Sequence, residues 1–132
     1  MISIKKVLLK IIEEFQPKPV LLWENPNPAS EFLSSTINEN SGGWVTGKIL
    51  NDYQKVKIVF DYGTLTLFIN NDGTVMKHNY DNTHQDYIVF RDCKFRSSGI
   101  EIQYSYGRGI GSSTAVLNTN NIMIPLKIYG IK

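Results

Sequence analysis

The fold is decided by the stretch Lys55-Val56-Lys57-Ile58-Val59-Phe60-Asp61-Tyr62, which is followed after Gly63 by Thr64-Leu65-Thr66-Leu67-Phe68-Ile69-Asn70. Apolar side chains recur at every second position in both halves. This alternation predicts two strands that each bury one face. The same pattern returns later in the chain, at Ile100, Ile102, Tyr104 and Tyr106.

Turn residues and two further apolar runs complete the predicted sheet pattern. Their patterns predict strands over residues 87–95 and 122–131. Pro125 indicates that the second is an edge strand or contains a bulge. Asn70-Asn71-Asp72-Gly73 predicts a tight hairpin turn. Residues 34–47 have few strand features, so we expect a long loop there. Short strands between turns, without helical interruptions, predict an all-β chain folded as a jelly-roll-like β-sandwich.

A short amphipathic α-helix is predicted ahead of the β-sandwich, over residues 3–15, and Pro17 ends it. Its apolar positions are spaced four, three and four residues apart, as in the seam of a coiled coil: Ile4, Leu8, Ile11 and Phe15. Leucine at a and isoleucine at d favour three- or four-helix bundles over dimers. We therefore expect these four side chains to mediate oligomerisation.

The chain is expected to divide into residues 1–19, comprising the helix and a Pro-rich elbow, and residues 20–132, the β-sandwich domain. A helix this short is marginal alone, so it must pack on another surface. Two alternatives stay open. The helix packs against its own β-domain, or it forms a threefold stalk with other copies of the chain.

Composition excludes several classes of protein. The chain has 132 residues and a net charge of +2, which fits one modest domain and is far from the basic balance of a nucleic-acid binder. A single cysteine, Cys93, excludes an intrachain disulfide. We expect no signal peptide, because lysines interrupt the apolar N-terminus, and no membrane insertion, because no apolar run is long enough.

Residues with reactive or metal-binding side chains do not form a recognisable catalytic pattern. Cys93 could pair with His78 or His84, but it lies within a predicted strand, where a buried thiol is the ordinary outcome. The polar group His78, Asp81, His84 and Asp86 matches no strong metal-site spacing. Gly107-Arg108-Gly109-Ile110-Gly111 follows a strand but leads into no helix, which excludes a dinucleotide loop and predicts a mobile one. We expect no enzyme activity, metal or cofactor.

Surface recognition by aromatic side chains is the remaining possibility. Aromatic rings together with Asn, Asp and Arg suit carbohydrate, because sugars offer C–H faces for stacking and hydroxyls for hydrogen bonds. The candidate carbohydrate-binding residues in loop-like positions are Trp44, Tyr80 and Arg108. Trp44, after Ser41-Gly42-Gly43, is expected to be the most exposed, whereas Trp23 is expected to anchor the chain to the domain.

Two stretches near the ends of the chain carry a resemblance. They are Leu22-Trp23-Glu24-Asn25-Pro26-Asn27-Pro28-Ala29-Ser30-Glu31-Phe32 and Asn121-Ile122-Met123-Ile124-Pro125-Leu126-Lys127-Ile128-Tyr129-Gly130-Ile131-Lys132. With the helix, they resemble small tail-associated proteins of phages and prophages of Gram-positive bacteria, which often pair LW-x-NP-x-P-x-x-x-F with IP-x-KIYGIK. The resemblance covers both ends and little of the middle. It implies a virion protein of the tail tip or host-attachment apparatus, commonly a trimer.

The resemblance therefore implies a phage virion protein of the tail or host-attachment apparatus, which we expect to be non-enzymatic and made in the bacterial cytoplasm without a signal peptide. Its expected partners are two further copies in a homotrimer, other tail proteins and bacterial cell-surface glycan. Two alternatives remain: an architectural virion protein with no ligand, such as a decoration or tail-tip spacer, and a stand-alone carbohydrate-binding module.

Overall fold

The computed structural model describes residues 3–15, 18–81, 85–97, 99–109 and 120–132, with the side chains at 15, 79–81 and 85–87 outside that description. Within these ranges the chain forms one α-helix and then eight strands: α1 (Ile4–Phe15), β1 (Val20–Glu24), β2 (Ser35–Asn38), β3 (Lys55–Phe60), β4 (Thr64–Phe68), β5 (Gly73–Asp81), β6 (Gln85–Arg96), β7 (Gly99–Gly109) and β8 (Pro125–Ile131).

The strands form two antiparallel sheets of four. Sheet A has the order β1-β8-β3-β4, and sheet B has the order β2-β7-β6-β5. The chain changes sheet between β1 and β2, between β2 and β3, between β4 and β5, and between β7 and β8. Residues distant in sequence therefore become strand neighbours, which ties the two ends of the chain into one sheet.

Both sheets contribute to a single hydrophobic core. On β3 the predicted alternation is confirmed, because Val56, Ile58 and Phe60 are buried while the residues between them are half-buried. Sheet B supplies the opposing side chains Ile37, Val75, Val89, Cys93, Ile100 and Ile102. The protein is thus a mostly β sandwich preceded by one helix, as the sequence predicts at that level.

Helix α1 begins and ends as expected, but its apolar side chains are left exposed. Ile4 is 78% exposed, Leu8 54% and Ile11 44%. The backbone N–H of Val7 donates to the carbonyl oxygen of Ser3 at 3.1 Å, which closes the first turn. Phe15 ends the helix, and its side chain lies outside the described residues.

Two predictions about connections are wrong. Residues 34–47 are not one long loop, since β2 lies within them and pairs with β7. The turn at Asn70-Asn71-Asp72-Gly73 does not close a hairpin, because β4 pairs with β3 and β5 pairs with β6. Asn70 does adopt the positive φ expected of a turn, at 72°, but the turn leads the chain from one sheet to the other.

Pro125 begins a strand at the centre of sheet A. Strand β8 lies between β1 and β3, so the edge-strand alternative is wrong. The bulge alternative is supported, because the β3–β8 register shifts between Val59 and Phe60, next to Pro125. A proline is tolerated here because it is the first residue of the strand, where one missing N–H interrupts the ladder least.

A bulge also reverses the faces of β7. Ile100 and Ile102 are fully buried, but Tyr104 and Tyr106 are 56% and 39% exposed, while Ser105 is buried. The β6–β7 register shifts between Arg91 and Cys93, so the alternation changes phase within β7. The prediction that all four apolar residues share the buried face is therefore wrong beyond Ile102.

Candidate functional site

The two stretches near the chain ends lie side by side in sheet A, where β1 pairs with β8. Asn25 follows β1 directly and is 8% exposed, and its Nδ2 donates a 2.8 Å hydrogen bond to the carbonyl oxygen of Pro125. Its backbone N–H donates to the carbonyl oxygen of Leu126 at 2.8 Å, and its Oδ1 accepts from the backbone N–H of Asn27 at 2.8 Å. Asn25 thus extends the β1–β8 pairing and has a structural role.

Trp23 fixes a glycine-containing loop to the same strand pair. Its side chain is 2% exposed, and its indole Nε1–H donates to the carbonyl oxygen of Gly42 at 2.8 Å. Gly43 has a φ of +88°, and a Cβ there would collide with the carbonyl oxygen of Glu24. Glycine is needed for this close approach. The prediction that Trp23 anchors the chain is confirmed.

Arg91 is the largest fully buried side chain in the described part of the structure. Its guanidinium donates hydrogen bonds to four backbone carbonyl oxygens. Nη1 donates to those of Phe32 and Gln103, both at 3.0 Å, and Nη2 donates to those of Asn120 and Ile122, both at 3.3 Å. One cation thereby joins the β1–β2 connection, strand β7 and the segment that leads into β8.

The electrostatic surroundings of Arg91 keep it charged. Burial lowers its pKa to about 10, and the nearby Cys93 and Asp61 act more weakly in the opposite direction. The guanidinium also lies over the ring of Phe32, 5.7 Å from its centroid, where the electron-rich face attracts a cation. Carbonyl oxygens solvate Nη1 and Nη2, and the ring adds to this, while the buried Nε has no partner among the described residues. Arg91 therefore holds the fold together.

Cys93 lies in the core, as expected for an ordinary strand thiol. It is fully buried, and burial raises its pKa to about 12, so the thiolate is disfavoured. His78 is exposed on β5, where its partner on β6 is Ile88, five residues and roughly 17 Å along the strand from Cys93. These two residues are not brought together, and His84 lies outside the described residues.

Trp44 is half-buried rather than freely exposed. Its ring packs against the core, and its Nε1–H donates to the carbonyl oxygen of Lys48 at 2.9 Å. It lines a shallow cleft of about 350 Å³ together with Glu39 and Ile49. The expectation of high exposure is wrong, because this loop folds back on its own tryptophan. Sugar binding by Trp44 stays a prediction.

Arg108 lies on strand β7 and not on a loop, because its backbone pairs with Ile88 of β6. The predicted mobile loop is therefore wrong at 107–109, and residues 110 and 111 lie outside the described part. Arg108 is nine positions along β7 from Gly99, whose partner Asn38 precedes the Trp44 loop. At about 3.3 Å per residue, Arg108 lies roughly 30 Å along the strand from Gly99, whereas Trp44 forms a bridge with Trp23 of β1 in sheet A.

Tyr80 lies on β5, opposite Asp86 of β6, at the same end of sheet B as Arg108. Its side chain lies outside the described residues. The structure thus brings the backbones of two predicted carbohydrate-binding positions to one end of sheet B, whereas Trp44 pairs with Trp23 of sheet A.

The outer face of sheet B carries an exposed apolar cluster that we call the aromatic platform, defined as Met76, Phe90, Tyr104 and Tyr106. Met76 pairs with Phe90 across β5 and β6, and Phe90 pairs with Tyr106 across β6 and β7, so the three form one row. The Phe90 and Tyr106 rings stack, with centroids 5.2 Å apart and planes at 18°. Met76 is 59% exposed and Tyr104 56%.

Polar side chains flank the aromatic platform along the strands. On one side Thr74 Oγ1 donates a 2.6 Å hydrogen bond to Asp92 Oδ1. On the other side His78 and Arg108 occupy the next row, and the Arg108 guanidinium carbon lies 5.9 Å from the centroid of the Tyr106 ring. The platform therefore combines an apolar floor with an anionic and a cationic border.

The described residues form neither a metal site nor a membrane-spanning helix. Among the described residues, no three His, Cys, Asp or Glu side chains gather in a way that could hold a metal ion. Of the proposed metal group only His78 has a described side chain. In the same part of the chain, no helix has the length and apolar character that crossing a membrane requires.

No protein-family model, curated protein or solved structure matches this chain. The resemblance to phage tail proteins therefore rests on the motifs near the ends of the chain. The structure adds the contacts that those motif residues make, and each contact described above is internal to the fold.

Sequence reasoning missed Arg91 and the aromatic platform. Arg91 shares a strand face with Val89 and Cys93, both fully buried, so its position in residues 87–95 was a signal that it points inward. The platform was harder to predict, because the alternating pattern of β7 does not reveal the bulge that turns Tyr104 and Tyr106 outward.

Proposed function

We propose that this protein is a non-enzymatic structural component of a phage particle, located in the tail or host-attachment apparatus. The observation that carries the proposal is the exposed apolar face of α1, where Ile4, Leu8 and Ile11 are about half exposed or more. Burying side chains of this size contributes roughly 1.5–3 kcal/mol each when complete. A short helix with such a face requires a partner surface, which an assembled particle supplies.

The internal use of the reactive and motif residues supports a role without catalysis. Arg91 is occupied by backbone carbonyls, the Cys93 thiol is buried, and Asn25 is hydrogen-bonded to the β8 backbone. Side chains with these roles stabilise a scaffold. The chain then acts through its surfaces, and bacterial cell-surface carbohydrate is the ligand class that we propose for host attachment.

Self-association through α1 is part of the proposal. Leucine at a and isoleucine at d favour bundles of three or four helices, and a homotrimer matches the symmetry that the family resemblance implies. Other tail proteins would contact the assembled trimer.

We also propose that the sandwich is jelly-roll-like. In a jelly roll, an eight-stranded antiparallel hairpin folds over, so that early strands pair with late ones in nested order. The pairing of β1 with β8 and of β2 with β7 supports this topology. The inner strands depart from it, since β3–β4, β5–β6 and β6–β7 pair as local hairpins.

Mass spectrometry of gradient-purified particles tests the proposed function. The particles should come from a phage or induced lysogen that encodes this chain. We expect its peptides at a constant ratio to those of other tail proteins across the particle peak. Particles that contain the other tail proteins and lack this chain would refute the proposal.

A stand-alone carbohydrate-binding module is the second candidate, and the aromatic platform favours it. That candidate requires glycan binding by the purified chain and no association with particles, so the same mass spectrometry separates the two.

A further inference from the structure

We propose that the aromatic platform on sheet B is a binding surface for a short oligosaccharide that carries an acidic group. The inference rests on the proposed host-attachment function for the source of the ligand, although the surface itself is argued from its geometry. It keeps Arg108 from the sequence-based site, leaves out Trp44, and adds the four residues of the aromatic platform.

The exposure of the platform requires an explanation. Surface apolar residues are ordinary when scattered, but contiguous apolar patches on soluble proteins are often functional. Met76, Phe90 and Tyr106 are direct neighbours across three strands, and Tyr104 lies beside them on β7. The near-parallel stack of Phe90 and Tyr106 also holds both rings in place. A ligand that packs on these two rings therefore orders few additional side chains, which keeps the entropic cost of binding low.

The size of the platform suits a small ligand better than a second protein. Three strands about 4.8 Å apart and two rows about 7 Å apart give an area on the order of 150 Å². A stable protein interface buries about 800 Å² on each partner. The platform alone is therefore several times too small for a protein interface, whereas a short saccharide fits it.

The chemistry of the borders selects the ligand class. Aromatic and thioether groups pack against the C–H faces of sugar rings, while Thr74, Asp92 and His78 can exchange hydrogen bonds with hydroxyls. Arg108, with its fixed fork of donors, suits a carboxylate or a phosphate. Asp92 on the opposite border repels that group, so the acidic substituent should lie at the Arg108 side.

A glycan array with three arms tests the proposal on the full-length protein. The arms are neutral hexose and N-acetylhexosamine oligomers, oligosaccharides that contain uronic acid, and phosphate-bearing polyol oligomers that carry sugars. We expect binding to one or both acidic arms in preference to the neutral arm. The two acidic arms distinguish a carboxylate from a phosphate as the group that meets Arg108.

Matched variants locate the binding surface. Tyr106→Ala should weaken binding about tenfold or more, which corresponds to about 1.4 kcal/mol. Arg108→Gln should weaken binding to the acidic arms to a similar degree and leave any neutral binding unchanged. Tyr62→Ala is the control, because Tyr62 is also exposed and lies under a cation, Lys77, but belongs to the turn between β3 and β4. It should bind like the unmodified protein.

Amide chemical shifts provide a second measurement that does not depend on a variant folding. Titration of the labelled unmodified protein with the best-bound oligosaccharide should perturb Met76, Phe90 and Tyr106 most. The proposal is overturned by the absence of binding on all three arms, by unchanged binding in Tyr106→Ala, or by shifts centred on Trp44. It is also overturned if Tyr106→Ala lowers the mass measured by light scattering, because the platform would then join copies of the chain.

These outcomes separate this inference from the proposed function. Particles that contain the chain, with no glycan bound at the platform, would overturn the inference and leave the virion role in place. Glycan binding at the platform, with no chain in particles, would overturn the virion role and leave the inference in place.

Discussion

Replacing the buried cation Arg91 with methionine should destabilise the fold substantially. Methionine keeps much of the volume but removes the donors for four carbonyl oxygens, those of Phe32, Gln103, Asn120 and Ile122. Leaving a buried acceptor unsatisfied costs roughly 1–3 kcal/mol. The carbonyl of Asn120 keeps a second donor, the backbone N–H of Phe32 at 2.9 Å, so it does not enter the sum. The other three carbonyls belong to half-buried residues, and at about 1 kcal/mol each we expect Arg91→Met to lose about 3 kcal/mol of unfolding free energy.

A competing effect acts in the opposite direction. Burial lowers the pKa of Arg91 to about 10, which shows that the fold disfavours the charge, and methionine removes that penalty. The carbonyls and the Phe32 ring offset only part of the desolvation cost, because the pKa of Arg91 stays below its ordinary value. Once the guanidinium is gone, the carbonyls that lose their donor carry a desolvation cost of their own. We expect the lost hydrogen bonds to dominate, as they do when one partner of a buried charge network is removed.

Urea denaturation followed by tryptophan fluorescence measures the difference. With an m-value of about 2 kcal/mol/M, a loss of about 3 kcal/mol lowers the midpoint by about 1.5 M. Arg91→Lys should be intermediate, because an ammonium cannot reach all four carbonyls. Arg96→Met is the control, since Arg96 is exposed on the same strand and its ion pair with Glu101, at 2.9 Å, lies at the surface. A change below about 1 kcal/mol in Arg91→Met, or a gain, would mean that the carbonyl contacts do not hold the loops as argued.

Three further predictions concern the strand seam, the buried thiol and the helix. Asn25→Ala should lose about 2 kcal/mol in the same urea experiment, because the carbonyl of Pro125 loses its buried donor; a loss under about 0.5 kcal/mol would contradict this. Burial raises the pKa of the Cys93 thiol from 9.0 in the unfolded chain to about 12 in the fold. The stability that the protonated thiol contributes is therefore complete below pH 9 and is lost as the pH rises toward 12. Between pH 8 and 10.5, the unfolding free energy of Cys93→Ala should therefore fall by about 2 kcal/mol less than that of the unmodified protein. If the unfolding free energies of the two proteins fall equally with pH, the thiol pKa is not raised. Light scattering at micromolar concentration should report a trimer that shifts toward monomer in Leu8→Glu or after deletion of residues 1–15, and a monomeric unmodified protein would exclude the stalk.

Alternating strands and the helix could be predicted from sequence because they depend on local periodicity. The β3 pattern, with Val56, Ile58 and Phe60 buried, follows directly from the period of two. The reversed faces of Tyr104 and Tyr106 could not be predicted, because they depend on a register shift between two strands. The same limit applies to the Asn70–Gly73 turn, since its residues permit a turn but do not determine which sheet the chain enters next.

The motifs near the ends of the chain illustrate what a resemblance leaves open. They indicated that residues near 25 and 125 matter, but not that they meet across 100 residues of intervening chain. Arg91 shows the reverse case, because no motif marks it and four carbonyls far apart in sequence converge on it. Such convergence depends on tertiary packing, which cannot be predicted from local patterns in a single sequence.

We propose that this chain is a structural part of the attachment end of a phage particle. Electron microscopy of particles labelled with a gold-conjugated antibody against the β-sandwich tests that claim most directly. We predict gold at the distal end of the tail, and loss of the label in particles from which the gene is deleted. Gold confined to the capsid, or particles that carry the chain nowhere, would contradict the account.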